Sequence, residues 1–472
     1  MKKKCSTIIL ILALLLSILL AGASCDKRED VTTYELWLDF TDDGVECVQK
    51  LTFVNNTEYE FLDLKLNVYA NAFDSKKPLP CTSQEQSEAY PNGVSFGEFK
   101  LRDVYGDFDS YGFDFDSNLI TVNLLQPLTP KESFTLEFIY SLTLPNTTLR
   151  YGFNERGLTM TGFYPQLCAI VDGDWYYDEF SAIGDPYFSD VADYEVTFNL
   201  PDGCEYVTSG TSKASECDGE TLITAKAKNI RDYALVISPE LQKTTEEYKG
   251  VELNYLGSNP YTLTYAKKAL DAYCAMFGEY AYDSLSIADM PFVAGGMEYG
   301  SLCVINEDIK NTEYEEVVAH EIAHQWWYST VGSNNLISAW QDEGLTNYST
   351  YLYFVEHCNI EYAELMLSDA YSQYQRFCDI QNSVGEPAKG KLGGRLVDFP
   401  SNYYYTNLTY NKSLITWKYA QDALGRDNLV KALAAYAKKY RFAIASEDDL
   451  WNSLDESIPN ASSIVKSFIA SQ

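Results

Sequence analysis

The chain has 472 residues, enough for two or three domains with full cores. It is 46% hydrophobic and 14% aromatic, which excludes a disordered chain, and its formal charge of −33 argues against nucleic acid or an anionic membrane surface as partner. Eleven cysteines without any C-x-x-C suggest neither a disulfide scaffold nor a thiolate metal site.

The first segment reads as a targeting leader. Lys2, Lys3 and Lys4 precede the apolar run STIILILALLLSILLAGA, and the segment ends in Ala21-Gly22-Ala23-Ser24-Cys25. Removal of residues 1–24 would move the charge to −36. Three fates are consistent with it: cleavage after Ala23, lipidation of Cys25 as in a bacterial lipoprotein, or an uncleaved anchor. The lipoprotein is the favoured expectation, with DKRED as tether; the body then lies outside the cytoplasm, joined to the membrane only through its lipid or signal anchor, secretion being the alternative.

Residues 26–242 predict a β domain. YELWLDF and VECVQKLTFV alternate around the turn TDDG, which makes a hairpin. Similar runs recur at FTLEFIYSLTL, ADYEVTFNLP and DYALVIS. Cys204 and Cys217 flank one polar loop and are candidates to pair. Residues 243–472 predict an α-rich domain with a small sheet. YTLTYAKKALDAYCAMFGEYA has helical period, and SLSIADMPF and GSLCVI read as strands either side of a glycine turn. Helices are then expected at about 312–329, 343–357, 359–383, 408–424 and 427–441. A long loop, 385–407, interrupts them, and loops of that length are functional or disordered.

Two of the three histidines of the chain stand four apart, in NTEYEEVVAHEIAHQWW. Thr312 and Glu315 form a T-x-x-E box expected to start the helix. Positions four apart share a helix face, so His320 and His324 aim two imidazoles at one point. One Zn²⁺ accepts such nitrogens, and a hydrolytic site needs a third protein ligand and an open position. Glu321 lies beside that position, placed to take a proton from water. The third ligand is sought in SAWQDEGLTNYSTYLYF, where Glu343 follows His324 after eighteen intervening residues and is expected at the start of a second helix. Asp342 is expected to support that helix start, and Asn347, one turn on, is either an outer partner of the metal site or merely polar. His357 suits the dipole at a helix end.

H-E-I-A-H-Q-W-W, eighteen residues, then D-E-G-L resembles the gluzincin aminopeptidases, the aminopeptidase N family. Thermolysin-type enzymes use one more residue in that gap. GGMEY, Gly295 to Tyr299, is similar to the family's G-x-M-E-N motif, with Tyr299 for asparagine as in shorter bacterial members. LTYNKS places Tyr410 at the tyrosine of Y-x-K-G, with Ser413 for glycine. VYANAF and GDPYFSDVADYEVTFNLP look like its N-terminal β domain. The resemblance implies an N-terminal β-sandwich or saddle-like domain and a thermolysin-like, mostly helical catalytic domain. It implies zinc on His320, His324 and Glu343, Glu321 as general base, and Tyr410 as hydrogen-bond donor to the oxyanion. Glu298 would pair with the free α-ammonium of a peptide, and Gly295 and Gly296 would let a substrate backbone approach and add as a strand. A family glutamine that helps hold the amine has a counterpart near Gln166. Longer members carry a helical C-terminal domain over the site; with 129 residues after Glu343, a more open site, or one covered by a partner, is expected. The reading is a zinc aminopeptidase acting on peptides. Its alternatives are an endopeptidase with the same metal centre and a non-catalytic peptide-binding lipoprotein.

Overall fold

The computed structural model describes residues 30–385 and 392–471. The leader 1–24, Cys25 and part of the long loop lie outside the described residues. Strand Thr33–Thr41 turns at Asp42 and Asp43 into Gly44–Val54, with Leu36 opposite Gln49, so the expected hairpin forms. The pair joins a seven-stranded sheet in which Thr33–Thr41 also runs parallel to Ala192–Leu200. Alternation decides the inward face: Ala192, Tyr194, Val196 and Phe198 are buried along that strand while their neighbours are partly exposed. A four-stranded sheet built on Phe61–Asn67 and Leu119–Leu128 supplies the opposing face, and Leu36, Leu51 and Phe138 share one core with Leu64, Leu66 and Val122. A third sheet carries Leu235–Ser238, buried at every position. Cys204 and Cys217 remain separate thiols, because the chain after Cys204 enters the third sheet while Cys217 ends an edge strand of the first.

From Lys243 the chain builds a five-stranded mixed sheet. Its inner strands Ser284–Met290 and Leu302–Asn306 run parallel and are buried almost throughout, as strands covered on both faces must be. The glycine turn between them contains a strand the sequence pattern does not show: Gly296–Tyr299 pairs antiparallel with Leu302–Asn306 and forms the edge of the sheet. Helix Asn311–His324 packs against Thr262–Phe277, where the Tyr273 hydroxyl donates to the Ala319 carbonyl at 2.9 Å. Asn335–Tyr353, Ile360–Val384, Lys412–Leu424, Arg426–Lys439, Glu447–Ser457 and Ala461–Ser471 complete the helical part, around a core that includes Trp327, Trp340, Tyr348 and Trp417. The architecture is thus an N-terminal β-sheet domain followed by a mostly helical domain. No helix among the described residues is long and apolar enough to cross a membrane.

Two helix starts differ from expectation. The helix bearing His320 begins at Asn311 after an extended Lys310 and has no side-chain cap. Glu315 instead accepts from the Tyr353 hydroxyl at 2.8 Å, a tertiary contact that outcompetes the local box. The second helix begins at Asn335, capped by the Asn334 side chain on the Leu336 amide, and bends at Ser338 (φ −142°, ψ 42°). Glu343 is therefore more than two turns inside it rather than at its start. π-helical turns follow at Gln325–Thr330, Phe354–Cys358 and Thr406–Asn411; the first begins directly after His324 and the third carries Tyr410, placements common at functional sites.

Arg231 joins the β sheets to the helical part. It is 2% exposed and donates to three carbonyls, Tyr328 at 2.7 Å, Ser189 at 3.2 Å and Ala443 at 2.7 Å. A methyl on Gly332 would lie 2.2 Å from its Cζ, so the close approach requires glycine there. Asp232 beside it accepts from the Gly300 amide and the Tyr328 hydroxyl, both at 2.8 Å. Arg231→Met leaves three carbonyls without their charged donor. The expected loss is about 3–5 kcal/mol of stability, read as a lowered midpoint of chemical unfolding; an unchanged midpoint would show that the staple contributes nothing.

Candidate metal centre and active site

The helical spacing brings His320 Nε2 and His324 Nε2 to 3.1 Å from one another. Glu343 Oε2, from the neighbouring helix, lies 3.3 Å from each. Four ligands tetrahedrally placed at about 2.0–2.1 Å from zinc stand about 3.3 Å apart, so three edges of that tetrahedron are present. Glu343 Oε2 is buried and has no hydrogen-bond partner among the described residues, as a lone pair reserved for a cation would be. The donor set, two imidazoles and one carboxylate, suits zinc.

Asp342 orients the site, a role that differs from the helix-start support expected of it. Its Oδ1 lies 2.6 Å from His324 Nδ1 and, as a carboxylate, accepts the hydrogen bond of an Nδ1–H, the tautomer whose Nε2 keeps its lone pair toward the triangle. Asn335 Nδ2 holds the other oxygen of Asp342 at 3.1 Å, and Thr346 Oγ1 lies 3.1 Å from His324 Nδ1. Asn347 hydrogen-bonds to His320. Position in the sequence hides this role for Asp342, since it depends on the helix starting eight residues earlier than its pattern suggests.

Glu321 is 5% exposed and burial raises its pKa to about 8. Glu298 beside it is buried as well, and burial raises that carboxyl well above the usual range. His320, His324 and Glu343 are the better ligand set, since Glu343 Oε2 is 3.3 Å from both ring nitrogens, although Glu298, Glu321 and His324 also cluster. Burial opposes the charge on Glu343, but His324 and His320 hold its pKa below the ordinary carboxylate range. Four buried carboxylates, Glu298, Glu321, Asp342 and Glu343, thus surround two imidazoles, an excess of negative charge that a divalent cation offsets.

Glu298 stands on the edge strand Gly296–Tyr299, with Oε2 3.9 Å from His324 Nε2. Gln325, the residue after His324, fixes that strand: its Nε2 donates to the Tyr299 carbonyl at 3.1 Å and its Oε1 accepts the Ser301 amide at 2.9 Å. A Cβ on Gly296 would meet Glu321 Oε1 at 2.4 Å, so this glycine makes room for Glu321, whereas at Gly295 it would make only ordinary contact with Val317 at 3.6 Å. The Tyr410 hydroxyl donates to Glu343 Oε1, and its ring lies 6.3 Å from that of His320. All eight expected site residues, His320, His324, Glu343, Glu321, Tyr410, Glu298, Gly295 and Gly296, line one cleft of about 470 Å³. Gln166 is not among its lining; that amide donates instead to Ser189 Oγ and the Arg231 carbonyl. The β domain contributes Arg150 and Asp185 to the cleft; Asp185 lies in the stretch GDPYFSDVADYEVTFNLP, whose pattern assigns it no role at a site.

Residues 261–471 match the Peptidase family M1 domain. Aminopeptidase M1-B of Oryza sativa subsp. japonica is 25% identical over 42% of this chain and 23% of its own length. Endoplasmic reticulum aminopeptidase 2 of Homo sapiens is 27% identical over 42% of this chain and 21% of its own. The chain therefore spans less than a quarter of the length of these two relatives. Over its whole fold it is similar to the M1 zinc metallopeptidase of Deinococcus radiodurans, at 16% identity and a TM-score of 0.65, with 93% of each chain covered. A mutant of that enzyme bound to the substrate Tyr-Ser-Ala superposes with a TM-score of 0.67 at 15% identity, over 93% of this chain and 94% of that one. The helical half of this chain, with its His-His-Glu triangle, is thus similar to peptidase family M1, and with the N-terminal β domain it forms a two-domain fold like that of the Deinococcus enzyme.

Proposed function

We propose that the protein is a zinc-dependent aminopeptidase that removes N-terminal residues from peptides. The observation that carries the reading is the Glu298 carboxylate, held on an edge strand 3.9 Å from the His324 ring nitrogen of the metal triangle. An anion fixed beside the metal centre favours a substrate whose α-ammonium lies next to the bond being cut. The outer edge of Gly296–Tyr299 has no strand partner among the described residues, so a peptide backbone can add to the sheet there. The Deinococcus enzyme, bound to a tripeptide, supports peptides as the substrate class.

His320, His324 and Glu343 would hold a zinc ion, which when bound would supply Lewis acidity and a nucleophilic water at neutral pH. Glu321 takes the proton released and delivers it to the leaving amine, a task for which burial has already raised its proton affinity. Tyr410, whose hydroxyl rests on Glu343, donates a hydrogen bond to the oxygen that gains charge. Glu298 holds the substrate amine, and Gln325 keeps its strand in register. The leader supports export and attachment to the membrane through a lipid on Cys25, which places the activity at the cell surface.

Glu321→Gln is expected to retain zinc by elemental analysis while kcat falls about 10²–10⁴-fold; retained turnover would remove it as base. Asp342→Asn should weaken zinc affinity about 10–100-fold in a competition titration with a chromophoric chelator. The intact enzyme should cleave aminoacyl anilides and leave their N-acetylated forms intact, and Glu298→Ala should lose most kcat/KM on the free-amine series. Equal cleavage of blocked and free substrates would replace this reading with an endopeptidase.

A further inference from the structure

Where the first side chain of a substrate goes follows from the two anchors above. With the amine at Glu298 and the scissile carbonyl at the metal triangle, that side chain is left to the rest of the cleft, whose β-domain lining includes Arg150 and Asp185. The Arg150 guanidinium is within electrostatic reach of Glu298 and Tyr299, and the Asp185 carboxyl within reach of Glu343. Gly184 ties the segment to the active-site tyrosines: a Cβ there would lie 2.9 Å from the hydroxyl of Tyr405, whose ring is 5.6 Å from that of Tyr410.

The pair is asymmetric. Arg150 makes one hydrogen bond from each terminal nitrogen, to Asp185 Oδ1 and to the Gly184 carbonyl at 3.2 Å, and its flat face lies 5.3 Å from the Tyr187 ring centroid. Asp185 Oδ1 also accepts the Tyr187 amide at 3.4 Å. Asp185 Oδ2 has no partner among the described residues, although the residue is only 7% exposed. A buried carboxylate oxygen without a donor is costly, and a ligand that brings a donor relieves that cost. The lining of the cleft carries seven carboxylates against one guanidinium, so the field around that oxygen favours a cation. Phe180, Met297 and Tyr405 wall the approach with apolar surface, which suits a long aliphatic stem ending in charge.

We propose that Asp185 is a specificity-determining residue that selects peptides whose first residue is lysine or arginine, the side-chain cation docking on Asp185 Oδ2 while Arg150 holds the carboxylate in place. The proposal rests on the aminopeptidase reading. An acidic first residue is disfavoured because the carboxylates lining the cleft outnumber its one guanidinium, which is already paired with Asp185.

The test compares kcat/KM of the zinc-loaded protein on lysyl, Nε-acetyllysyl, norleucyl and glutamyl anilides. The lysyl substrate should exceed the acetyllysyl and norleucyl ones by about ten- to a hundredfold, the worth of a charged hydrogen bond, and Asp185→Asn should bring the lysyl-to-norleucyl ratio near unity. Norleucyl or acetyllysyl cleavage equal to lysyl in the unmodified protein overturns the proposal, whether or not the variant folds. So does a ratio unmoved in a folded Asp185→Asn. Failure to cleave any of the four overturns the aminopeptidase reading itself, whereas cleavage without preference overturns only the role of Asp185.

Discussion

Three electron-pair donors, two imidazole nitrogens and one carboxylate oxygen, are held in a triangle 3.1–3.3 Å on a side. Without a cation that triangle is electrostatically unreasonable, because it is ringed by further buried acids. Everything else near it can be understood as support. Asp342 sets the His324 tautomer, and Asn335 sets Asp342. The apolar packing of the helix Asn311–His324 on Thr262–Phe277 and Asn335–Tyr353 prevents the rings from relaxing apart. Metal binding and folding of this half are in that sense one problem, since the ligands come from two helices that only the core brings together.

The second constraint is the relation between the β domain and the helical half. The cleft is walled by both, so its width depends on how they are joined. Arg231 and Asp232 add buried polar contacts to apolar clusters that span both parts, such as Tyr187 and Val236 with Met297 and Tyr299. Arg231 reaches carbonyls of Ser189, Tyr328 and Ala443, while Asp232 grips the Gly300 amide at the end of the substrate-facing strand. Polar contacts of this kind have strict geometry, and they fix the position of Glu298 relative to the metal triangle. Gln325 adds a third tie between the same strand and the chain just past His324.

Much of this was legible in the chain alone. The alternation in YELWLDF and ADYEVTFNLP specified half-buried strands, because side-chain direction in a strand has period two. The four-residue interval between His320 and His324 specified a shared face, because a helix turns every 3.6 residues. The structure differs where tertiary contact overrules local preference. Glu315 was a plausible capping residue but found Tyr353, and the second helix gained two further turns from Asn334 capping and from burial of Trp340 and Ala339. The short strand Gly296–Tyr299 was invisible because four residues carry too little pattern, although it presents the key Glu298.

The sequence by itself determined the chemistry of the site: which donors exist, their softness for zinc, and the helical phase that aligns two of them. It also determined where the chain changes from strand to helix, since periodicity is a local property. Only the tertiary structure decided that Glu343 points at the histidines, that Asp342 rather than another acid orients His324, and that Arg150 and Asp185 of a different domain line the cleft. These facts depend on the packing of segments up to 212 residues apart, such as Gly300 against Asp232 and Arg231 against Ala443, and no local rule of propensity or spacing encodes a distance across a core.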